Sequence, residues 1–217
     1  YPSVFTAPDG LAFAFSEDND VTYGLTYNPY TKTWTKVSPN VAYAKAYALL
    51  PGGFVAGVVG VNNDTLFLNI SDLHERQMRE VEVTMSFPVE EVLAAFYDRG
   101  ELVILHENNN ALKWTTIGVQ YWDDGTVQVD GSDQDSGELD SKQYGYYNIS
   151  PQAFRLASGQ VFFTIQQGGS PGPQLAYVLV RDGGGWNATE ITPSTPLNVT
   201  GHFAYSGDGS VLYFAEA

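Results

Sequence analysis

An acidic segment at residues 130–140 carries the densest set of side chains that could hold a metal ion. Its five carboxylates belong to Asp130, Asp133, Asp135, Glu138 and Asp140. Oxygen ligands at such spacing suit a hard cation such as Ca²⁺, although Gly137 falls where an EF-hand loop would place a ligand. Two interpretations stay open, a calcium site or a solvated acidic loop. Apart from Ca²⁺, we predict no cofactor.

Other residue types that could carry catalysis are scattered along the chain. The run Gly168-Gly-Ser170-Pro-Gly172 matches the G-x-S-x-G motif. That motif needs a strand-to-helix turn, and here it lies between two predicted strands, so we interpret it as a loop. Paired carboxylates could hydrolyse a glycosidic bond if two of them met in space. The acidic candidates are Glu17, Asp18, Asp98, Glu101 and Glu107, and the three histidines are His74, His106 and His202.

Composition excludes several classes of function. The chain has 217 residues, 10 basic and 25 acidic, and a formal charge of −15. Such a surface repels phosphate backbones, so we expect no nucleic-acid partner. Cysteine is absent, which excludes thiolate nucleophiles, thiolate metal sites and disulfides. No apolar run approaches the length of a membrane-spanning helix.

Glycosylation motifs indicate the compartment. Asn-X-Ser/Thr occurs five times, where chance gives about two in a chain of this composition. The acceptor residues are Asn63, Asn69, Asn148, Asn187 and Asn198. We place them near strand ends or loops, where a glycan would reach water. The sequence therefore predicts a secreted, extracellular glycoprotein, and the absence of an initiator methionine before Tyr1 is what we expect of a mature protein or a fragment.

The elements that must position these residues are repeated hairpins. An aromatic-bearing run, a turn ending in glycine and a strongly apolar run recur at intervals of 43 to 59 residues. The marker glycines are Gly10, Gly53, Gly100, Gly159 and Gly209. A unit that cannot bury its own faces, repeated at this period, is typical of a β-propeller. We predict one all-β, propeller-like domain over residues 1–217, with four to five antiparallel blades at residues 1–40, 41–88, 89–150, 151–197 and 198–217.

The first unit resembles a kelch repeat in residues 21–37. The shared residues are Tyr27, Asn28, Pro29, Thr31 and Trp34. The kelch double glycine is missing after the second strand, so the resemblance implies an architecture and no family function. Trp34, Trp122 and Trp186 lie 22 to 27 residues after their marker glycines. We predict that they fill the gaps between neighbouring blades, in preference to stacking on a ligand.

The fifth unit ends after its second strand, at Ala217. An unpaired strand edge needs a cover, and the candidates are the N-terminal segment Tyr1–Ala7, a longer parent chain or a partner chain that donates strands. We expect the cover to come from outside these 217 residues, because the N-terminal segment already starts the first unit. For function, the leading hypothesis is a non-catalytic module that binds a glycan or a protein partner. An extracellular assembly subunit and a polysaccharide-active enzyme are the alternatives.

Overall fold

The computed structural model shows that all regular structure in its described residues is β-strand, which confirms the predicted all-β class. Those described residues contain no helix long and apolar enough to cross a membrane. The structure describes residues 3–6, 12–18, 21–28, 30–37, 44–62, 64–72, 78–122, 126–141, 145–147, 153–156, 158–168, 174–191, 201–205 and 211–215.

Within these ranges the strands form five antiparallel sheets. The first sheet contains β1 (Ser3–Thr6), β2 (Ala12–Asp18), β3 (Val21–Asn28) and β4 (Thr33–Val37). The second contains β5 (Ala46–Leu50), β6 (Phe54–Asn62), β7 (Thr65–Asp72) and β8 (Met78–Thr84). The third contains β9 (Glu91–Asp98), β10 (Glu101–Asn108), β11 (Ala111–Tyr121) and β12 (Val127–Ser141).

The last two sheets differ from this four-stranded arrangement. The fourth contains β13 (Tyr146–Tyr147), β14 (Ala153–Arg155), β15 (Val161–Gln167), β16 (Gln174–Asp182) and β17 (Gly185–Glu190). Both β13 and β14 pair with β15, so two short pieces together occupy the place of one first strand. The fifth consists, among the described residues, of β18 (Gly201–Tyr205) and β19 (Val211–Ala215).

Each repeated hairpin of the sequence is an antiparallel β-hairpin, and each supplies two paired strands of one sheet. Gly53, Gly100 and Gly159 have φ values of +83°, +93° and +83°, and each lies in the turn just before the second strand. Glycine suits this position because it adopts positive φ without a steric penalty. The equivalent setting of these three glycines was predicted and is confirmed; Gly10 and Gly209 lie outside the described residues.

The second, third and fourth sheets pack face to face in chain order. In β10, Leu102 and Ile104 join one apolar cluster with the second sheet, while Val103 and Leu105 join another with the fourth sheet. Successive side chains of a strand point to opposite faces, so the third sheet is covered on both sides. A fully buried leucine or isoleucine contributes about 2 kcal/mol through removal from water. The first strands of neighbouring sheets meet, with β5 against β9, and the outer strand β12 meets β8 and β17.

The acidic segment at residues 130–140 forms most of strand β12, so the alternative that interpreted it as a loop is wrong. β12 pairs with β11 from one end to the other, with shifts of register after Leu112 and after Ile117. These bulges absorb extra residues on the longer strand while the backbone hydrogen bonds continue on either side. The segment therefore presents its carboxylates along a sheet edge.

Candidate functional site

The outer hairpin of the third sheet, between β11 and β12, exposes an aromatic ring in a fixed position. Trp122 follows β11 directly, and 54% of its surface is exposed. Its backbone N–H donates to the carbonyl of Thr126 at 3.0 Å. Its indole N–H donates to Oε1 of Gln128 at 3.1 Å. These two bonds hold the indole against the sheet edge and leave part of the ring open to water.

A line of hydrogen-bonded polar side chains continues from Trp122 along the same face. Gln120 pairs with Gln128 across the two strands, and its Nε2 donates to Oδ2 of Asp130 at 2.8 Å. The backbone N–H and the hydroxyl of Ser132 donate to Oδ1 of Asp130 at 2.9 and 2.6 Å. Gln128 and Asp130 lie two apart on β12 and share a face, whereas Ser132 lies in the bulge that follows Asp130. We call Trp122, Gln128, Gln120, Asp130 and Ser132 the Gln120 stripe.

The electrostatics of the stripe are those of an ionised carboxylate. The hydrogen bonds from Ser132, side chain first and then backbone, lower the pKa of Asp130 because they favour its charged form. A second carboxylate lies beside it, over Gly118. A Cβ on Gly118 would stand 2.9 Å from Oδ2 of Asp133, so the Asp133 side chain lies directly over this glycine. The stripe is therefore acidic and rich in hydrogen-bonding groups.

The first sheet exposes aromatic rings at the corresponding hairpin, between β3 and β4. Trp34 is 50% exposed and packs against Tyr27 with a ring-centroid distance of 5.0 Å. Tyr30, at the tip, is 92% exposed. Oδ1 of Asn28 accepts the backbone N–H groups of Tyr30 at 2.9 Å and Thr31 at 3.3 Å, which stabilises the turn. Tyr30 and Trp34 thus expose two aromatic rings at this hairpin.

The tryptophans predicted as wedges divide into two groups. Trp186 is buried in the apolar cluster between the third and fourth sheets. Its ring meets Phe96 edge-on at 5.0 Å, and the guanidinium of Arg181 lies 5.8 Å from its centroid. Trp34 and Trp122 instead leave about half of their surfaces in water, so they do not fill such a gap. Trp114, which the sequence reasoning missed, is buried in the same cluster as Trp186.

The remaining acidic residues of β12 have separate partners. Oδ1 of Asp135 accepts the N–H of the following residue at 2.8 Å. Glu138 lies opposite Lys113 in the strand pairing. Oδ2 of Asp140 accepts the hydroxyl of Tyr177 at 2.8 Å. Within the described ranges, no three His, Asp or Glu side chains are grouped so that they could hold a metal ion.

Two of the candidate catalytic carboxylates form an ionic bridge between the third and fourth sheets. Asp98, whose side chain is 4% exposed, pairs with Arg155 through Oδ1 and with Arg181 through Oδ2, the latter at 3.0 Å. Arg181 also pairs with Glu101 at 2.7 Å. Hydrogen bonding to Glu101 raises the pKa of Arg181 further. Glu107 accepts a backbone N–H from the neighbouring turn, and the side chains of Glu17 and Asp18 lie outside the described part.

His106 is fully buried in β10. Its Nε2 lies 2.9 Å from Oγ1 of Thr115, and its Nδ1 has no hydrogen-bond partner among the described atoms. Burial lowers the pKa of His106 from 6.5 to about 4, the Glu107 backbone raises it, and the charge of Lys113 lowers it. The imidazole is therefore neutral at pH 7. His74 and Ser170 lie outside the described residues, as does the side chain of His202.

Only part of the glycosylation prediction falls on described residues. Asn187 is exposed in β17, where an attached glycan would project into water. Asn69 lies in the middle of β7 and is 6% exposed, unlike the strand-end or loop position that we expected. Attachment of a glycan there would require the buried amide to reach the surface. Asn63, Asn148 and Asn198 lie outside the described residues.

Comparison with known proteins gives no family for this chain. A scan against protein-family models and a search of curated proteins each returned no match. A function for this protein must therefore be inferred from its site residues. The sequence placed Trp122 in a gap between neighbouring blades, and it gave no indication of a role for Gln120, Gln128 or Ser132. The signal that could have found them is the alternation of polar residues with Val127 and Val129 along β12.

Proposed function

We propose that this protein is a secreted glycoprotein that binds a glycan through the Gln120 stripe and catalyses no reaction. The observation that carries the proposal is the half-exposed ring of Trp122, held by its own N–H to Gln128 beside an ordered carboxylate and two amides. The five glycosylation motifs support secretion, with Asn187 exposed at the surface.

The chemistry of the stripe suits a sugar. The weakly polar C–H face of a sugar ring can lie on an indole, which presents a large apolar surface with little loss of side-chain entropy. Sugar hydroxyls both donate and accept hydrogen bonds, and amide and carboxylate groups complement them. Gln120, Gln128 and Asp130 supply these groups on the same face as Trp122. The centre of a protein interface is typically apolar and depleted of charge, whereas the stripe has one aromatic ring among polar and charged groups.

The aromatic hairpin of the first sheet supports a second, weaker contact point. Tyr30 and Trp34 expose their rings at the hairpin that corresponds to the one carrying Trp122. Weak sites on one molecule reinforce each other on a polymeric ligand, because the second contact is intramolecular. We therefore propose a polymeric glycan as the ligand and a protein partner as the alternative.

We propose further that the sheets are blades of a propeller-like, kelch-like array. The support is the face-to-face packing of the second to fourth sheets, each following the same hairpin plan, with first strands together and outer strands together. In such an array the corresponding hairpins of successive blades lie on one rim. This arrangement would present Trp34 and Trp122 to the same extended ligand.

Binding can be tested directly by tryptophan fluorescence and calorimetry with soluble β-glucan, mannan and galactan. We expect at least one neutral polysaccharide to bind with micromolar to millimolar affinity. Trp122→Ala should weaken that binding at least tenfold, because the stacking surface is lost. Ile191→Ala is the matched control, since Ile191 is 48% exposed and lies outside the stripe. Absence of binding to every polysaccharide, or equal binding by Trp122→Ala, would refute the proposal.

A further inference from the structure

We propose that Asp130 determines the specificity of the Gln120 stripe, so that the stripe accepts uncharged sugars and rejects uronate and sulfated sugars. The inference deepens the proposed function and rests on it. It concerns which glycan class binds, and three observations carry it: the anchoring of the Asp130 carboxylate, the carboxylate beside it and the sign of the surrounding charge.

The carboxylate of Asp130 is ordered before any ligand arrives. Three donors hold it, two from Ser132 and one from Gln120, at 2.6 to 2.9 Å. A carboxylate has about four acceptor positions, so these bonds leave about one for a ligand hydroxyl. Hydrogen bonds to an ionised acceptor are stronger than neutral ones. A sugar hydroxyl can therefore donate to Asp130 at no cost in side-chain ordering.

The same carboxylate repels an anionic sugar, and its surroundings strengthen that repulsion. Asp133 stands over Gly118, beside Gln120 on the same face of β11. In the part of the chain that the structure describes, no lysine or arginine pairs with Asp130 or Asp133. The net charge of −15 adds a repulsive field over the whole surface. The guanidinium of Arg79 lies close to the stripe, but it donates to the carbonyl of Val127 and, among the described residues, forms an ion pair with neither carboxylate. A uronate or sulfate would therefore meet two carboxylates and an arginine that is already hydrogen-bonded.

The experiment uses each polysaccharide in two forms, the neutral polymer and the same polymer oxidised at C6 to the uronate. The intact protein should bind the neutral form at least tenfold more tightly than the oxidised form at 50 mM NaCl. Asp130→Asn keeps the shape and removes the charge, so the ratio should fall to about threefold or less, with weaker binding of the neutral form. Asp64→Asn, at an exposed turn outside the stripe, should leave the ratio unchanged.

Ser132→Ala separates charge from positioning. It frees the carboxylate but keeps its charge, so it should weaken binding of the neutral form and preserve discrimination against the oxidised form. Salt gives a test without mutation: discrimination by the intact protein should shrink in 1 M NaCl, where the screening length falls to about 3 Å.

The possible outcomes separate the role of Asp130 in specificity from glycan binding itself. Equal binding of neutral and oxidised polymers by the intact protein would overturn the role of Asp130 and leave glycan binding standing. If folded Asp130→Asn still preferred the neutral polymer as strongly as the intact protein does, the role of Asp130 would likewise be overturned and glycan binding would stand. Failure of the intact protein to bind any polymer would overturn both proposals.

Discussion

Acidification should destabilise this protein through one side chain, the buried His106. Its pKa is 6.5 in the unfolded chain and about 4 in the folded protein, because burial penalises the imidazolium. Between these values the unfolded chain binds the extra proton, so stability falls as the pH falls from about 6.5 to about 4. The shift of roughly 2.5 units corresponds to about 3 kcal/mol in total, of which about 2 kcal/mol should be lost between pH 7 and pH 5.

The assay is urea unfolding of the intact protein and of His106→Gln at pH 7 and pH 5. Glutamine keeps a hydrogen-bonding group near Thr115 and does not titrate, so the variant retains every other pH-dependent term. The intact protein should lose about 2 kcal/mol more than the variant over this interval. Parallel losses in the two proteins would refute the reasoning, because the titrating group would then lie elsewhere. A gain in stability of the intact protein relative to the variant at pH 5 would show that protonation of His106 stabilises the fold, which is the opposite of the expected effect.

Three further predictions concern the sheets and their surface. Asp98→Ala should cost about 1 to 3 kcal/mol in urea unfolding, because Arg155 and Arg181 lose a shared buried partner, while Arg155 stays partly in water and Arg181 keeps Glu101. An unchanged stability would contradict this. Gly137→Ala should cost about 1 to 3 kcal/mol, since a Cβ there would stand 2.6 Å from the indole nitrogen of Trp114. Gly60→Ala is the control, because a Cβ at residue 60 would meet open space. Equal thermal stability of the two variants would refute the packing argument. Glycopeptide mapping of protein from its native source should find a sugar on Asn187, and an unmodified peptide there would count against secretion through a glycosylating pathway.

The hairpins of this protein could be predicted from the sequence because their causes are local. Positive φ at Gly53, Gly100 and Gly159 follows from the need of a tight turn for a residue without Cβ. Alternation of apolar and polar residues marks β3 and β8 in the sequence itself. These signals depend on residues within a few positions of one another, so an all-β chain of repeated hairpins can be predicted without coordinates.

The candidate site could not be predicted in the same way, because exposure depends on which sheet covers a face. Trp122 and Trp186 follow their marker glycines at similar intervals, yet the first is exposed and the second is buried between two sheets. The sequence of residues 130–140 favoured a loop or a metal site, whereas pairing with β11 made it a strand and fixed the partners of Asp130. Asn69 matches a glycosylation motif but is buried in the middle of β7.

The sequence by itself determined where the chain turns and which residue types each strand offers. Only the tertiary structure decided which of those residues meet water, because burial and ion pairing join residues far apart along the chain. The bridge from Asp98 to Arg181 and the desolvated imidazole of His106 both depend on such packing. A polar side chain on a strand becomes a binding group when its face stays open, and a structural one when a neighbouring sheet closes over it.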